Sequence, residues 1–82
     1  MHQNGFGPIS VEEVEEMIRA ALPGAQVRVA DMRGTGDHFD IAVASDAFKG
    51  KSLVEQHQMV FAALKGEMDR RIHAVQIKTS YA

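Results

Sequence analysis

The chain contains no cysteine, which excludes a disulfide scaffold and any metal site built only from its own thiolates. Five methionines and no thiol are in keeping with a reducing interior. An apolar run of membrane length is missing, as is a secretory h-region, so the expectation is a cytoplasmic protein with no membrane partner. Strong charge of either sign is missing too: the net value of −2 over 82 residues does not mark a committed nucleic-acid binder. That value conceals an asymmetry. Residues 1 to 46 carry eight acids and three bases, whereas residues 47 to 82 carry three acids and six bases, Lys49, Lys51, Lys65, Arg70, Arg71 and Lys78. Internal repeats and low-complexity segments are absent, and 82 residues with 45% hydrophobic content make one domain near the lower size at which a core sustains itself.

What is present is an alternation of helix and strand signals. Residues 1–9 read as a flexible lead-in and 10–82 as the single domain. Ser10-Val-Glu-Glu13 is a capping box, with Ile9 and Val14 spaced as a hydrophobic staple; Val14, Met17, Ile18, Ala21 and Leu22 form the stripe of a helix that Pro23-Gly24 stops. Val27 and Val29, then Phe39, Ile41 and Val43, alternate with polar or small residues and predict two strands of an antiparallel hairpin across the glycine-rich loop from Met32 to Asp37. Ser52-Leu-Val-Glu55 repeats the capping box, and Leu53, His57, Val60, Phe61 and Leu64 predict the stripe of a second helix ending at Gly66. Ile72 to Thr79 reads as the last strand. The order is αββαβ, an α+β domain with a three-stranded mixed sheet backed by helices.

Of four histidines, His38 and His73 each stand at the entrance of a predicted strand. The second strand, second helix and third strand make a βαβ unit, whose strands run parallel and start at the same sheet edge. As immediate neighbours they would bring the two residues within roughly 4.8 Å of one another along the backbone. Strict alternation puts His73 in phase with Val75 and Ile77 but His38 out of phase with Phe39 and Ile41, so the two nominally face opposite sides. Gly34 and Gly36 give His38 freedom, and the expectation is a His38 that is mobile until something binds. Two imidazoles fill half of a tetrahedral site, so a partner must supply the other ligands. His57, on the helical stripe, reads as a packing or auxiliary residue satisfied by a backbone carbonyl; His2 carries no role.

Other chemistry has little behind it. Lys49-Gly50-Lys51-Ser52 looks like the end of a P-loop, but the upstream glycine and strand spacing are missing. A helix N-terminus flanked by two lysines still attracts phosphate without specificity, which leaves a nucleic-acid contact open at these four residues. No Ser/His/Asp arrangement carries a nucleophile signature and no pocket signature accompanies His38 and His73, so the chain reads as not an enzyme.

The segments Gly36-Asp-His-Phe39, Ala44-Ser-Asp-Ala-Phe48-Lys-Gly-Lys-Ser52-Leu-Val-Glu-Gln-His57-Gln-Met-Val-Phe61 and Ile72-His-Ala-Val-Gln-Ile-Lys78 together resemble the BolA family, over about Val11 to Thr79. The Phe-x-Gly-x-Ser entry to the second helix and the His-Ala opening of the last strand occur at family spacing. The resemblance implies a class II KH-like αββαβ fold. It also implies pairing with a monothiol glutaredoxin around a shared [2Fe–2S] cluster, with none in the isolated chain, in iron–sulfur trafficking or iron regulation. It assigns His73 as the principal cluster ligand and His38 as the second, the glutaredoxin giving its active-site cysteine and a glutathione thiolate. Imidazoles in place of thiolates on one iron raise the potential and make binding sensitive to pH. Some members are described as transcriptional regulators, which makes DNA binding the alternative function, although the KH-type Gly-x-x-Gly clamp is absent here. Many members also continue past the last strand with a Thr-Pro…Trp tail, where this chain ends Ser80-Tyr81-Ala82, so a partner surface is expected to be absent.

Overall fold

The capping boxes set where the helices begin. In the computed structural model, which describes residues 9–34, 36–68 and 70–81, the Ser10 hydroxyl accepts from the Glu13 N–H and the Glu13 carboxylate accepts from the Ser10 N–H. Ser52 and Glu55 repeat the exchange. Each box satisfies N–H groups that a helix start leaves without partners. Helix α1 therefore spans Val11–Ala21 and α2 spans Leu53–Leu64. Ile9 and Val14 are both buried, as the staple requires.

The strands are β1 (Gln26–Asp31), β2 (His38–Ala44) and β3 (Ala74–Ser80), in the order β1-β2-β3. β1 pairs antiparallel with β2, placing Val29 opposite Ile41, and β3 pairs parallel with β2, placing Ile77 opposite Ile41. Along the central strand Phe39, Ile41 and Val43 are buried, while Asp40 and Ala42 between them are exposed. This alternation puts one sheet face against the helices, where Ile18, Val60, Leu64 and Ile72 complete the core.

Three details differ from the sequence expectation. A short 3-10 turn, Asp46–Phe48, precedes α2, capped by the Ser45 hydroxyl accepting from the Ala47 N–H, and it buries Phe48 completely. The inward stripe of α2 is Gln56, Val60 and Leu64, whereas Leu53 and Phe61 are 62% and 40% exposed. The buried polar residue explains the rotation: the Gln56 side-chain amide donates to the Lys51 carbonyl and its oxygen accepts from the Thr79 hydroxyl, so a satisfied glutamine takes a core position that an apolar pattern cannot reveal. Finally, α2 ends in a right-handed turn at Lys65, with the N–H groups of Glu67 and Met68 both donating to the Leu64 carbonyl, so Gly66 does not supply a left-handed stop.

The connector into β3 is fixed by charge. Arg71 pairs with Glu67 at 2.7 Å and with Glu13 of α1 at 3.5 Å. The Arg71 hydrogen bond holds the Glu67 carboxyl below its ordinary value, and the Ser52 N–H does the same for Glu55. Carboxylates lowered in the folded state stabilise it above their unfolded value, and that contribution disappears as pH falls through the folded one. Thermal midpoints are accordingly expected to drop on acidification below 4.5, the ordinary glutamate value here. In Glu67→Gln the drop should be shallower; an identical acid profile in that variant would remove the Glu67 pair as a cause.

Candidate metal centre

Both histidines stand at the edge of the sheet where β2 and β3 begin. β3 starts at Ala74, level with His38, so His73 lies one residue ahead of the ladder and beside Asp37. The Asp37 carbonyl accepts from the N–H groups of His73 and Ala74 at 2.8 and 3.2 Å. Because His73 precedes the ladder, strand alternation does not bind it, and the nominal opposition of the two side chains does not hold: the ring centroids are 6.1 Å apart with planes tilted by 46°.

One carboxylate joins them. Asp37 Oδ1 lies 2.8 Å from His38 Nδ1, and Asp37 Oδ2 lies 3.0 Å from His73 Nδ1. The two side chains are unequally open, His38 being 23% and His73 62% exposed. His38, expected to be mobile, is thus tethered at its ring.

The loop is tethered as well. The Asp31 carboxylate, at the end of β1, accepts from the N–H groups of Arg33, Gly34 and Gly36 at 3.3, 2.9 and 2.8 Å. Gly34 and Gly36 have φ of 71° and 75°, the left-handed conformation that lets successive N–H groups turn inward onto one acceptor. Past the loop, the Met32 N–H donates to the His38 carbonyl and closes the hairpin. Asp31→Ala should therefore release the loop and speed amide exchange at Gly34 and Gly36 while leaving β2 protected. Unchanged exchange would show that the carboxylate does not hold the loop.

Sequence reasoning missed both aspartates. For Asp31 the available signal was an aspartate directly before a glycine-rich turn, a common Asx arrangement. For Asp37 it was the Gly-Asp-His run, whose meaning needs the β2/β3 register.

The remaining candidates lie elsewhere. His57 is half-buried in the second turn of α2, and its neighbour Gln56 bonds Thr79 near the far end of β3, so the fold does not bring His57 to the pair. No hydrogen bond from His57 to a backbone carbonyl is seen among the described residues. Lys49, Gly50, Lys51 and Ser52 occupy the turn into α2, next to the edge where β2 ends. There the Ser52 hydroxyl and Glu55 carboxylate already engage the helix start, and the carboxylate is itself the anion at the dipole. His2 lies outside the described residues.

The two imidazoles supply two donors, half of a tetrahedral metal's set. A carboxylate accepts and does not donate, so each Nδ1–H donates to Asp37, and in its neutral form each ring then keeps its lone pair on Nε2. Among the described residues, no group of three or more His, Cys, Asp or Glu is arranged to hold a metal ion. Also among the described residues, no helix is long and apolar enough to cross a membrane.

The model of the BolA-like protein family matches residues 6–82. The chain belongs to the BolA family. Protein BOLA2 of Arabidopsis thaliana is 41% identical over 71 residues, covering 85% of this chain and 75% of the relative. The DNA-binding transcriptional regulator BolA of Escherichia coli is 29% identical over 75 residues, covering 83% and 71%. Among solved structures, a BolA-like protein of Babesia bovis superposes with a TM-score of 0.79 at 31% identity, covering 89% of this chain and 85% of that one. The αββαβ architecture with its mixed sheet is thus the BolA fold.

Proposed function

We propose that this BolA protein is a non-enzymatic adaptor that lends His73 and His38 to a [2Fe–2S] cluster shared with a monothiol glutaredoxin, in iron–sulfur trafficking or iron regulation. The observation that carries the reading is the pair itself: two imidazoles at one sheet edge, 6.1 Å apart, both engaged at Nδ1 by one carboxylate. Nε2 is then the atom each ring offers to iron. The cluster, when bound, supplies a redox-active centre whose potential imidazole ligation raises relative to all-thiolate ligation. The chain's own part is to present neutral nitrogen donors at a wet edge and to leave the remaining positions to the partner. Because protonation removes the Nε2 lone pair, binding should weaken with acid.

Mixing the colourless chain with cluster-loaded glutaredoxin tests this. The visible absorption and circular dichroism should change on mixing, and an unchanged spectrum would refute the shared site.

A second reading, a DNA-binding regulator, draws on the name of the E. coli relative and on the Lys49-Gly50-Lys51-Ser52 turn. It predicts binding whose log affinity falls linearly with log salt and weakens in a Lys49→Ala, Lys51→Ala double variant. No shift of duplex or single-stranded DNA at low salt would dismiss it. The Glu55 carboxylate at the same helix start weighs against phosphate there.

A further inference from the structure

The two histidines have a common controller, and it is neither of them. Asp37 touches both strands of the site in two ways: its carbonyl accepts from the His73 and Ala74 N–H groups, and its two carboxylate oxygens each meet one imidazole, at 2.8 and 3.0 Å. A histidine ring with no partner distributes its proton between Nδ1 and Nε2, and only the Nδ1–H form leaves Nε2 free to ligate. A ring rotated by 180° about its Cβ–Cγ bond would likewise turn Nδ1 away from its acceptor and re-aim Nε2. One carboxylate with two oxygens, placed between two rings, restricts both choices for both residues at once.

We propose that Asp37 is the positioning residue of the pair, locking both rings in the Nδ1–H tautomer so that two Nε2 lone pairs are presented together before any partner arrives. This inference rests on the shared-cluster reading for its purpose, but its physical content belongs to the free chain. The carboxylate acts as the outer partner of both ligands and fixes their orientation; loss of such partners costs about 10–100-fold in metal affinity. Asp37 is 27% exposed and sits behind the rings relative to the nitrogens they would offer, so it needs no contact with iron. The same carboxylate also accounts for why the chain holds two donors in register across two strands without the help of a metal.

The test is the tautomeric state of His38 and His73 in the free protein, read from the side-chain nitrogen shifts in long-range proton–nitrogen spectra at about pH 8, above the range in which histidine ordinarily titrates. In the unaltered chain both rings should show the Nδ1–H pattern. Asp37→Ala should return both to a mixed population while the backbone spectrum of β2 and β3 is retained, because the carbonyl contacts to His73 and Ala74 do not depend on the side chain. Asp37→Asn gives the sharper outcome: an amide has one accepting oxygen and one donating nitrogen. One ring should keep Nδ1–H and the other should change to Nε2–H, splitting the pair. Nε2–H on either ring of the unaltered chain, or Nδ1–H on both rings in Asp37→Ala, would overturn the proposal. A second arm titrates cluster-loaded monothiol glutaredoxin with each variant, with a 10–100-fold loss of affinity expected for Asp37→Ala. If the unaltered chain takes up no cluster while its tautomers respond to Asp37 as described, the shared-cluster reading fails and the positioning role stands. If cluster uptake is normal and the tautomers are indifferent to Asp37, the positioning role alone fails.

Discussion

His73→Ala is expected to leave the visible circular dichroism of cluster-loaded monothiol glutaredoxin unchanged on mixing, at concentrations where the unaltered chain transforms it. The size of the effect follows from the kind of group removed. Outer-shell partners of metal ligands are worth about 10–100-fold in affinity, and a ligand itself is worth at least the upper end of that range. His73 is the stronger choice of the pair because its side chain is 62% exposed against 23% for His38, so it stands further into the space a partner would occupy. His38→Ala should reduce affinity while leaving a detectable spectral change at higher protein concentration. A full spectral change with His73→Ala would remove this residue from the site. Since His73 lies ahead of β3, its backbone N–H bond to the Asp37 carbonyl survives the replacement and only the Nδ1 contact of an exposed ring is lost, so the change should cost little stability and thermal melts of the two proteins should nearly coincide.

Phe39→Ala is expected to have the largest effect on folding. Phe39 is 0% exposed on the central strand, paired with Asp31 on one side and Val75 on the other. Removing a buried phenylalanine typically costs about 3–5 kcal/mol, the transfer of the lost atoms plus the cavity left behind. Native stability amounts to about 0.05–0.15 kcal/mol per residue, or roughly 4–12 kcal/mol for a chain of this length. The substitution thus takes away a large part of the total, and because Phe39 follows His38 directly, it should also loosen the site. Phe61→Ala supplies the contrast. The apolar pattern of α2 placed Phe61 in the core, but it is 40% exposed, so its loss should shift the urea midpoint far less than that of Phe39. Equal shifts would mean that the helix packs by the face its apolar residues suggest and not by the face that carries Gln56.

The contrast marks where the sequence is legible and where it is not. Ser10 with Glu13 and Ser52 with Glu55 announce both helix starts, because capping is local chemistry within four residues. Phe39, Ile41 and Val43 announce a half-buried strand by their period of two, and chain order then makes β2 and β3 parallel. From those facts the meeting of His38 and His73 at one edge was already readable. Gln56 was not, since a polar residue enters a core only when distant partners satisfy it, here the Lys51 carbonyl and Thr79. Asp37 was hidden for the same reason. Its role depends on a register that sets His73, 36 positions further along the chain, beside its carboxylate. The expected looseness of His38 also missed Asp31, whose three accepted hydrogen bonds turn a glycine-rich segment into a closed loop. Gln56 and Asp37 thus act through contacts across the fold that no local pattern encodes, whereas Asp31 acts within five residues, where only its place before a glycine-rich turn signalled it.

In the proposed complex, imidazole nitrogens of this chain ligate the shared cluster. Electron spin-echo spectroscopy of the reduced complex with monothiol glutaredoxin counts those nitrogens directly, because iron-bound imidazole gives hyperfine couplings that thiolate ligation lacks. Couplings from two histidine nitrogens are expected, one lost in His73→Ala and the other in His38→Ala. A spectrum without directly coordinated nitrogen would contradict it, assigning every ligand to sulfur and none to this chain.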